Sequence, residues 1–259
     1  CILLNLKKKF YFMSDLANFL ESTYLKEFNH NDLSDLEHIK NINLLINDAI
    51  FYGIKLVMIH PKNIKMVRKT LDKKSSSVLI GTVIDFPFGN NGVEIKKNEA
   101  LSAILDGADE LDFVINYELF KRGDYEKLSE EVVECISLCI NNSKTIKWII
   151  EIAALSNEEI IGITTLIKNI VNSRFQDFKN SIFIKTSTGF FKRKDNGPNG
   201  ATSAGIKLIK DHANGIPIKA SGGISSARDV EVMLRLGASR IGTSSAKEII
   251  LGTNSVKDY

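Results

Sequence analysis

From about residue 54 the chain alternates between two periods of hydrophobic placement. Short apolar runs, IKLVMI (54–59), SVLIGTVI (77–84), ELDFVIN (110–116) and IKWIIEI (146–152), read as buried strands. SIFIK (181–185), IPIKA (216–220) and SRIG (239–242) continue the series. Between them lie stretches of helical length and period. After Asp124, a good N-cap, the residues Leu128, Val132, Cys135, Ile136, Cys139 and Ile140 fall on one helical face. A second helix is predicted from Ser225 or Ser226, with Val230, Met233 and Leu234 turned inward. Ser226 and Asp229 have the spacing of a capping box, with Asp in place of the usual Glu.

Strands separated by helices imply a mostly parallel sheet. Closing it into a barrel needs one more strand at the start, and NFLES (18–22) is the best candidate, followed by a helix from about Asp32 or Ser34 to Ile50. No Pro/Gly-rich linker interrupts the alternation. Residues 1–259 therefore read as one (β/α)8 TIM-barrel domain with a core of about 19–250. A short helical extension is expected before the core, and a flexible tail of about 251–259 after it. The rival doubly wound sheet has no GxGxxG opening its first crossover, and no P-loop pattern occurs.

Composition narrows the function classes. A chain with 44% hydrophobic and 25% charged residues is normal for a soluble globular protein, and 259 residues suffice for a large core. The balance of 34 basic against 31 acidic residues gives no argument for a nucleic-acid partner, but suits a local site for anionic small molecules. Cys1, Cys135 and Cys139 cannot form a disulfide framework and lack zinc-site spacing with the four histidines, so a reducing, cytosolic compartment and no metal are expected. No membrane span or signal peptide is recognised. The chain starts on Cys1 instead of Met, as a piece of a longer chain would.

In a barrel the C-terminal strand ends converge on one mouth. The polar residues sit mainly there: Glu21 and Thr23, Asp85, Asp112 and Asn116, Glu151, Lys185 and Lys219. Buried charges are costly unless paired or neutralised, so several on separate core strands point to a site. Lys185 and Lys219 each end an apolar strand and precede small residues, Thr186-Ser187-Thr188-Gly189 and Ala220-Ser221-Gly222-Gly223. Two ammonium groups brought close lower the pKa of one or both, and a neutral lysine can attack an aldehyde. Spacing alone leaves equally open that one of them is an ion-paired barrel residue or a phosphate ligand.

Alternation sets Asp112, Val114 and Asn116 against Leu111, Phe113 and Ile115. Asp112 then faces the barrel, as a proton relay beside Lys219 or as an ion pair that holds the barrel. Glu110 is assigned to the opposite face, and Glu151 to a role similar to that of Asp112. SGGIS (221–225) and GTSSAKE (242–248) offer glycine-rich loops and helix starts to a phosphate, or simply turns. Lys192, Arg193 and Lys194 read as solvated rim; His30, His38, His60 and His212 read as structural or exposed.

HPKNIKMVRKTL (60–71), VIDFPFGN (83–90), GADELDFVIN (107–116), FIKTSTGF (183–190), IKASGGI (218–224) and IGTSSA (241–246) together resemble the deoxyribose-phosphate aldolase family, class I aldolases on a TIM barrel. The likeness runs from about residue 19 to 250. It implies Lys185 of KTSTG as the Schiff-base lysine, Lys219 of KASGG as a second active-site lysine, and Asp112 as its partner in proton transfer through a water. It implies Glu21 and Thr23 near the substrate, and Gly189, Gly222, Gly223, Gly242, Ser244 and Ser245 in a phosphate pocket. The implied reaction is reversible cleavage of 2-deoxy-D-ribose 5-phosphate to D-glyceraldehyde 3-phosphate and acetaldehyde, with no metal or cofactor. A cytoplasmic enzyme with a small phosphorylated sugar as its partner, commonly a homodimer, is the corresponding expectation.

The sequence departs from the family pattern at Glu21, where Asp is frequent, at Met58, where cysteine is common, and at Phe190, where some members place a lysine beside the phosphate. Some members carry a C-terminal tyrosine into the site; this chain ends at Tyr259. The rival readings are another phosphate-binding barrel aldolase or isomerase, which would not need both lysines, and a non-catalytic barrel, which would have a disrupted pair.

Overall fold

The apolar runs become strands β1 (Leu20–Tyr24), β2 (Leu56–Ile59), β3 (Leu79–Ile84) and β4 (Glu110–Val114), then β5 (Thr145–Ile149), β6 (Ile182–Lys185), β7 (Ile218–Ser221) and β8 (Arg240–Thr243). They pair in chain order, all parallel, and β8 returns to β1 to close the barrel. The computed structural model describes residues 16–26, 35–193, 195 and 197–253. Most of the expected N-terminal extension, His30, Lys194 and the end of the tail with Tyr259 lie outside them.

The helices are α1 (Asp35–Tyr52), α2 (Ile64–Lys73), α3 (Val93–Leu105), α4 (Tyr117–Lys121) and α5 (Tyr125–Asn141). They continue as α6 (Asn157–Arg174), α7 (Ser203–His212), α8 (Ala227–Arg235) and α9 (Ala246–Leu251). The Asp124 carboxylate accepts from the Lys127 N–H at 3.3 Å and so starts α5. Leu128, Val132, Cys135, Ile136 and Cys139 are buried there, with Ile140 at the edge of that face. On α8 the box is complete in both directions, because Asp229 is long enough to reach the Ser226 N–H at 3.0 Å. Val230 and Met233 are buried and Leu234 packs beside them.

Two faces of each strand have different fates. Leu111, Phe113, Ile146, Trp148 and Ile184 turn outward into the large apolar core shared with the helices. Phe113 and Trp148 meet there with ring centroids 5.5 Å apart. Each fully buried apolar side chain of this kind contributes about 1.5–3 kcal/mol. The inward face is divided. On the β1–β3 side Leu25, Leu56, Met58 and Val83 form a small apolar cluster. Met58 lies across Gly81, where a Cβ would come within 2.5 Å of its Cε. The remaining strands fill the interior with charge. Glu110 belongs to that interior, which corrects its assignment to the opposite face. A two-residue period puts it on the same side as Asp112.

The α8 cap supplies a direct check. Ser226→Ala should lower stability in urea by about 1 kcal/mol, whereas Ser226→Asn should keep most of it; equal midpoints for all three proteins would refute the capping account.

Candidate active site

Parallel register brings inward residues of neighbouring strands side by side. Asp112 pairs with Lys147 across β4 and β5, Lys185 with Lys219 across β6 and β7, and Lys219 with Arg240 across β7 and β8. Glu21 of β1 lies beside Gly242 of β8. Glu21, Asp112, Lys147, Lys185 and Lys219 are all buried, at no more than 3% exposure. This is a charged core, and its geometry decides whether it can persist.

Asp112 is its hub. One carboxylate oxygen accepts from Lys147 at 2.7 Å. The other accepts from Lys185 at 2.8 Å and from Lys219 at 2.6 Å. Lys219 also donates to Glu21, and Lys147 pairs with Glu110 at 2.7 Å. Arg240 closes the ring by bonding Glu110 at 3.1 Å and Glu21 at 3.4 Å. Burial penalises the Asp112 charge, yet Lys147, Lys185 and Lys219 hold its carboxyl well below the usual carboxylate range. Burial likewise opposes the Glu110 charge, but Lys147 and Arg240 keep its pKa lowered. Lys147 is the mirror case, with its pKa raised against burial by Asp112, Glu110 and Glu21.

Lys185 behaves differently. Burial pushes its ammonium down; Asp112 opposes this and the neighbouring Lys219 charge reinforces it, leaving a pKa of about 8. The arithmetic of the cluster explains why this lysine yields. Glu21, Glu110 and Asp112 are surrounded by Lys147, Lys185, Lys219 and Arg240, one cation in excess. Lys185 is bonded to a single carboxylate, while Lys147 and Lys219 each bond more than one. Releasing a proton from Lys185 balances the cluster. The result is a lysine with an amine form accessible near neutral pH, beside a carboxylate that the neighbouring lysines hold ionised in the resting ring.

The other strand-end residues divide. Thr23 donates to the backbone oxygen of Glu21 at 3.1 Å and stays half-buried at the mouth. Asp85 turns away from the interior to Lys96 at 2.8 Å and to the Asn91 side chain at 2.6 Å. Glu151 turns to Thr188, and Asn116 caps α4 by accepting from Leu119 N–H. Gly222 has φ +88, a conformation suited to glycine, and a Cβ there would lie 2.7 Å from the Gly200 Cα. Gly189 and Gly223 flank this close approach in the same left-handed region. Gly242 sits deeper, where a Cβ would come within 3.0 Å of the Lys219 Cε, so its lack of a side chain makes room for that lysine. Ser244 is exposed, and the Ser245 N–H is spent on the Thr243 hydroxyl at 3.0 Å.

On the rim, Lys192 is exposed, while Arg193 pairs with Asp195 at 2.6 Å and donates to the Ala153 carbonyl. Phe190 stands edge-on to Phe86 with centroids 5.1 Å apart. Sequence reasoning missed Lys147 and Arg240, and also Gly200. Lys147 and Arg240 carried a usable signal: each is a charge on the inward parity of an apolar run, IKWIIEI and SRIG. Gly200 carried none, because its need arises only from the neighbouring loop.

Residues 26–254 match the profile of the DeoC/LacD family aldolase. The chain is 40% identical over 214 residues to the deoxyribose-phosphate aldolase of Metamycoplasma hominis, covering 82% of this chain and 90% of that one. It is 33% identical over 244 residues to the deoxyribose-phosphate aldolase of Thermococcus gammatolerans, covering 94% of this chain and 98% of that one. Among solved structures it is similar to the tetrameric deoxyribose phosphate aldolase of Aeropyrum pernix, with a TM-score of 0.74 and 25% identity over 92% of this chain and 91% of that one.

Two outcomes follow from the charge geometry. Carbamylation of Lys185 by cyanate, mapped by mass, should rise as pH passes through about 8, and Lys219→Leu should move that midpoint upward because a repelling cation is gone. A midpoint that stays put or falls would contradict the coupling. Lys147→Met leaves Glu110 and Asp112 short of a buried partner and should cost roughly 3–5 kcal/mol in urea unfolding; a loss under about 1 kcal/mol would place little weight on the ring.

Proposed function

The chain belongs to the DeoC/LacD aldolase family, and from that membership we propose that Lys185 is the nucleophile of its aldolase reaction, with Asp112 and Lys219 as proton carriers. The reaction is the reversible cleavage of 2-deoxy-D-ribose 5-phosphate to D-glyceraldehyde 3-phosphate and acetaldehyde. The observation that carries the assignment is the sharing of one Asp112 oxygen by Lys185 and Lys219, with the Lys185 pKa lowered to about 8.

The amine form of Lys185 attacks C1 of the open-chain sugar. A C–N bond forms, the carbonyl oxygen takes a proton, and loss of water gives an iminium. That cation restores a positive charge where the Lys185 ammonium stood, beside the Asp112 oxygen that had held it. The C3 hydroxyl then gives up its proton and the C2–C3 bond breaks. Its electron pair moves onto the iminium as an enamine, while C3 becomes the aldehyde of glyceraldehyde 3-phosphate. Asp112, held ionised, accepts protons, and Lys219 carries them to and from it through water. Protonation of the enamine at C2 and hydrolysis release acetaldehyde and restore Lys185.

For the phosphate we assign the loops after β6, β7 and β8. Gly189, Gly222 and Gly223 allow the backbone to approach an anion closely, and Ser244 and Ser245 follow β8 on the adjoining loop. Gly242 supports the site from below by accommodating Lys219, and Glu21 by bonding it. Thr23 is assigned to the substrate side of β1. The enzyme is read as cytoplasmic and homodimeric. Free, buried Cys135 and Cys139 suit a reducing compartment, and the tetrameric Aeropyrum pernix relative supports self-association. Among the described residues no helix is long and apolar enough to cross a membrane.

Borohydride reduction in the presence of acetaldehyde or 2-deoxyribose 5-phosphate should fix a carbon adduct on the peptide bearing Lys185. An adduct on another lysine would overturn the nucleophile, and absence of both adduct and cleavage would sink the reading. Lys219→Leu should fold and lose turnover by about 100-fold or more, the size expected for a lost proton-transfer group; a wild-type rate would remove it from the proton path.

A further inference from the structure

Glu151 was expected to resemble Asp112, and its surroundings assign it a different task. It follows β5 at the mouth, is 1% exposed, and holds a left-handed backbone with φ +55. A non-glycine residue in that region carries strain that the surrounding structure must hold in place. What holds it is the loop that leaves Lys185. One Glu151 oxygen accepts both the Thr188 N–H at 3.1 Å and the Thr188 hydroxyl at 2.5 Å. The Thr188 hydroxyl in turn accepts the Phe190 N–H at 3.0 Å. The intervening Gly189 has φ +83 and approaches Gly222. Two backbone bonds, Ile150 N–H to Lys185 and Ile152 N–H to Thr186, tie the same strand end to the start of the loop.

We propose that Glu151 is a positioning residue that, through Thr188, fixes the Thr186–Phe190 turn against the Gly222 loop and so sets the grip on the phosphate end of the substrate, without itself transferring protons. This rests on the phosphate assignment made above. Both Thr188 donors point at the carboxylate, and the shape of the Gly189 turn depends on them. A proton carrier would need a carboxyl group at this position. A positioning residue needs only an acceptor oxygen, and that difference can be measured.

Glu151→Gln keeps an acceptor oxygen and removes the titrating group. Glu151→Gly removes the acceptor while suiting the positive φ, so the backbone is not strained further. Steady-state cleavage of 2-deoxyribose 5-phosphate, calorimetric binding of inorganic phosphate, and borohydride trapping with acetaldehyde are read on each. For Gln, kcat, KM and the pH profile should stay within about 3-fold of wild type. For Gly, KM and the phosphate dissociation constant should rise about 10-fold or more, corresponding to about 1.4 kcal/mol, while acetaldehyde trapping at Lys185 persists. Thr188→Val, which deletes only the hydroxyl link, should raise KM in the same sense and serves if Gly does not fold.

A Gln variant as impaired as Gly, or with a displaced pH profile, would overturn the proposal in favour of proton transfer. Unchanged phosphate affinity in Gly and in Thr188→Val would overturn it outright. Failure of wild type to trap or cleave removes the aldolase reading instead, and phosphate binding still tests the loop by itself.

Discussion

One carboxylate organises the interior of this barrel. Asp112 accepts hydrogen bonds from Lys147, Lys185 and Lys219, contributed by three different strands. Isolated, each of those cations would be expensive to bury, and so would the carboxylate. Held around it at hydrogen-bond distance, they are tolerated. The surplus of one positive charge then falls on the member with the fewest partners. The low pKa of Lys185 comes first from its burial, with the Lys219 charge adding to it and Asp112 opposing both. It cannot be assigned to Lys219 alone, although that lysine contributes.

The ring also explains the division of the barrel interior. Charged groups need several partners within reach, so they are concentrated on the β4–β8 strands and on Glu21, while Leu56, Met58 and Val83 fill the opposite wall. Met58 packs across Gly81 and acts as an apolar filler of that wall. The apolar wall denies water to one side of the ring, which strengthens the electrostatic interactions inside it. Asp85 and Glu151, at the ends of β3 and β5, are left-handed residues whose carboxylates turn away from the ring, Asp85 to Lys96 of α3 and Asn91, Glu151 to Thr188. The mouth thus has two kinds of acid: those that hold the ring lysines and those that bond outside the ring.

Much of the fold was legible from period alone. The seven later strands were readable because each is a short apolar run bounded by polar residues, and the Asp124 and Ser226 caps followed from local chemistry. β1 was harder: NFLES marks the right place, but the strand runs Leu20–Tyr24, because pairing with β2 and β8 sets its ends rather than its own composition. The Lys185, Lys219 and Asp112 cluster was readable as strand-end charge. Glu110 was misassigned although the two-residue period already linked it to Asp112, and Lys147 was missed although it is a charge on the inward parity of its apolar run. The direction of Asp85 and Glu151 was not readable at all. A backbone in the left-handed region is imposed by tertiary contacts, and nothing in the local sequence reports it.

The cap of α8 has a consequence for turnover. Asp229 takes the N–H groups of Ser225 and Ser226, so a negative charge already sits where an arriving anion would seek the helix end. On the phosphate assignment proposed above, such an anion would meet partial neutralisation of the helix dipole and would depend on the loop glycines for its remaining contacts. Attraction there is tempered by design of the local sequence rather than maximised. If that assignment holds, the cap would ease the discharge of a phosphorylated product in every cycle.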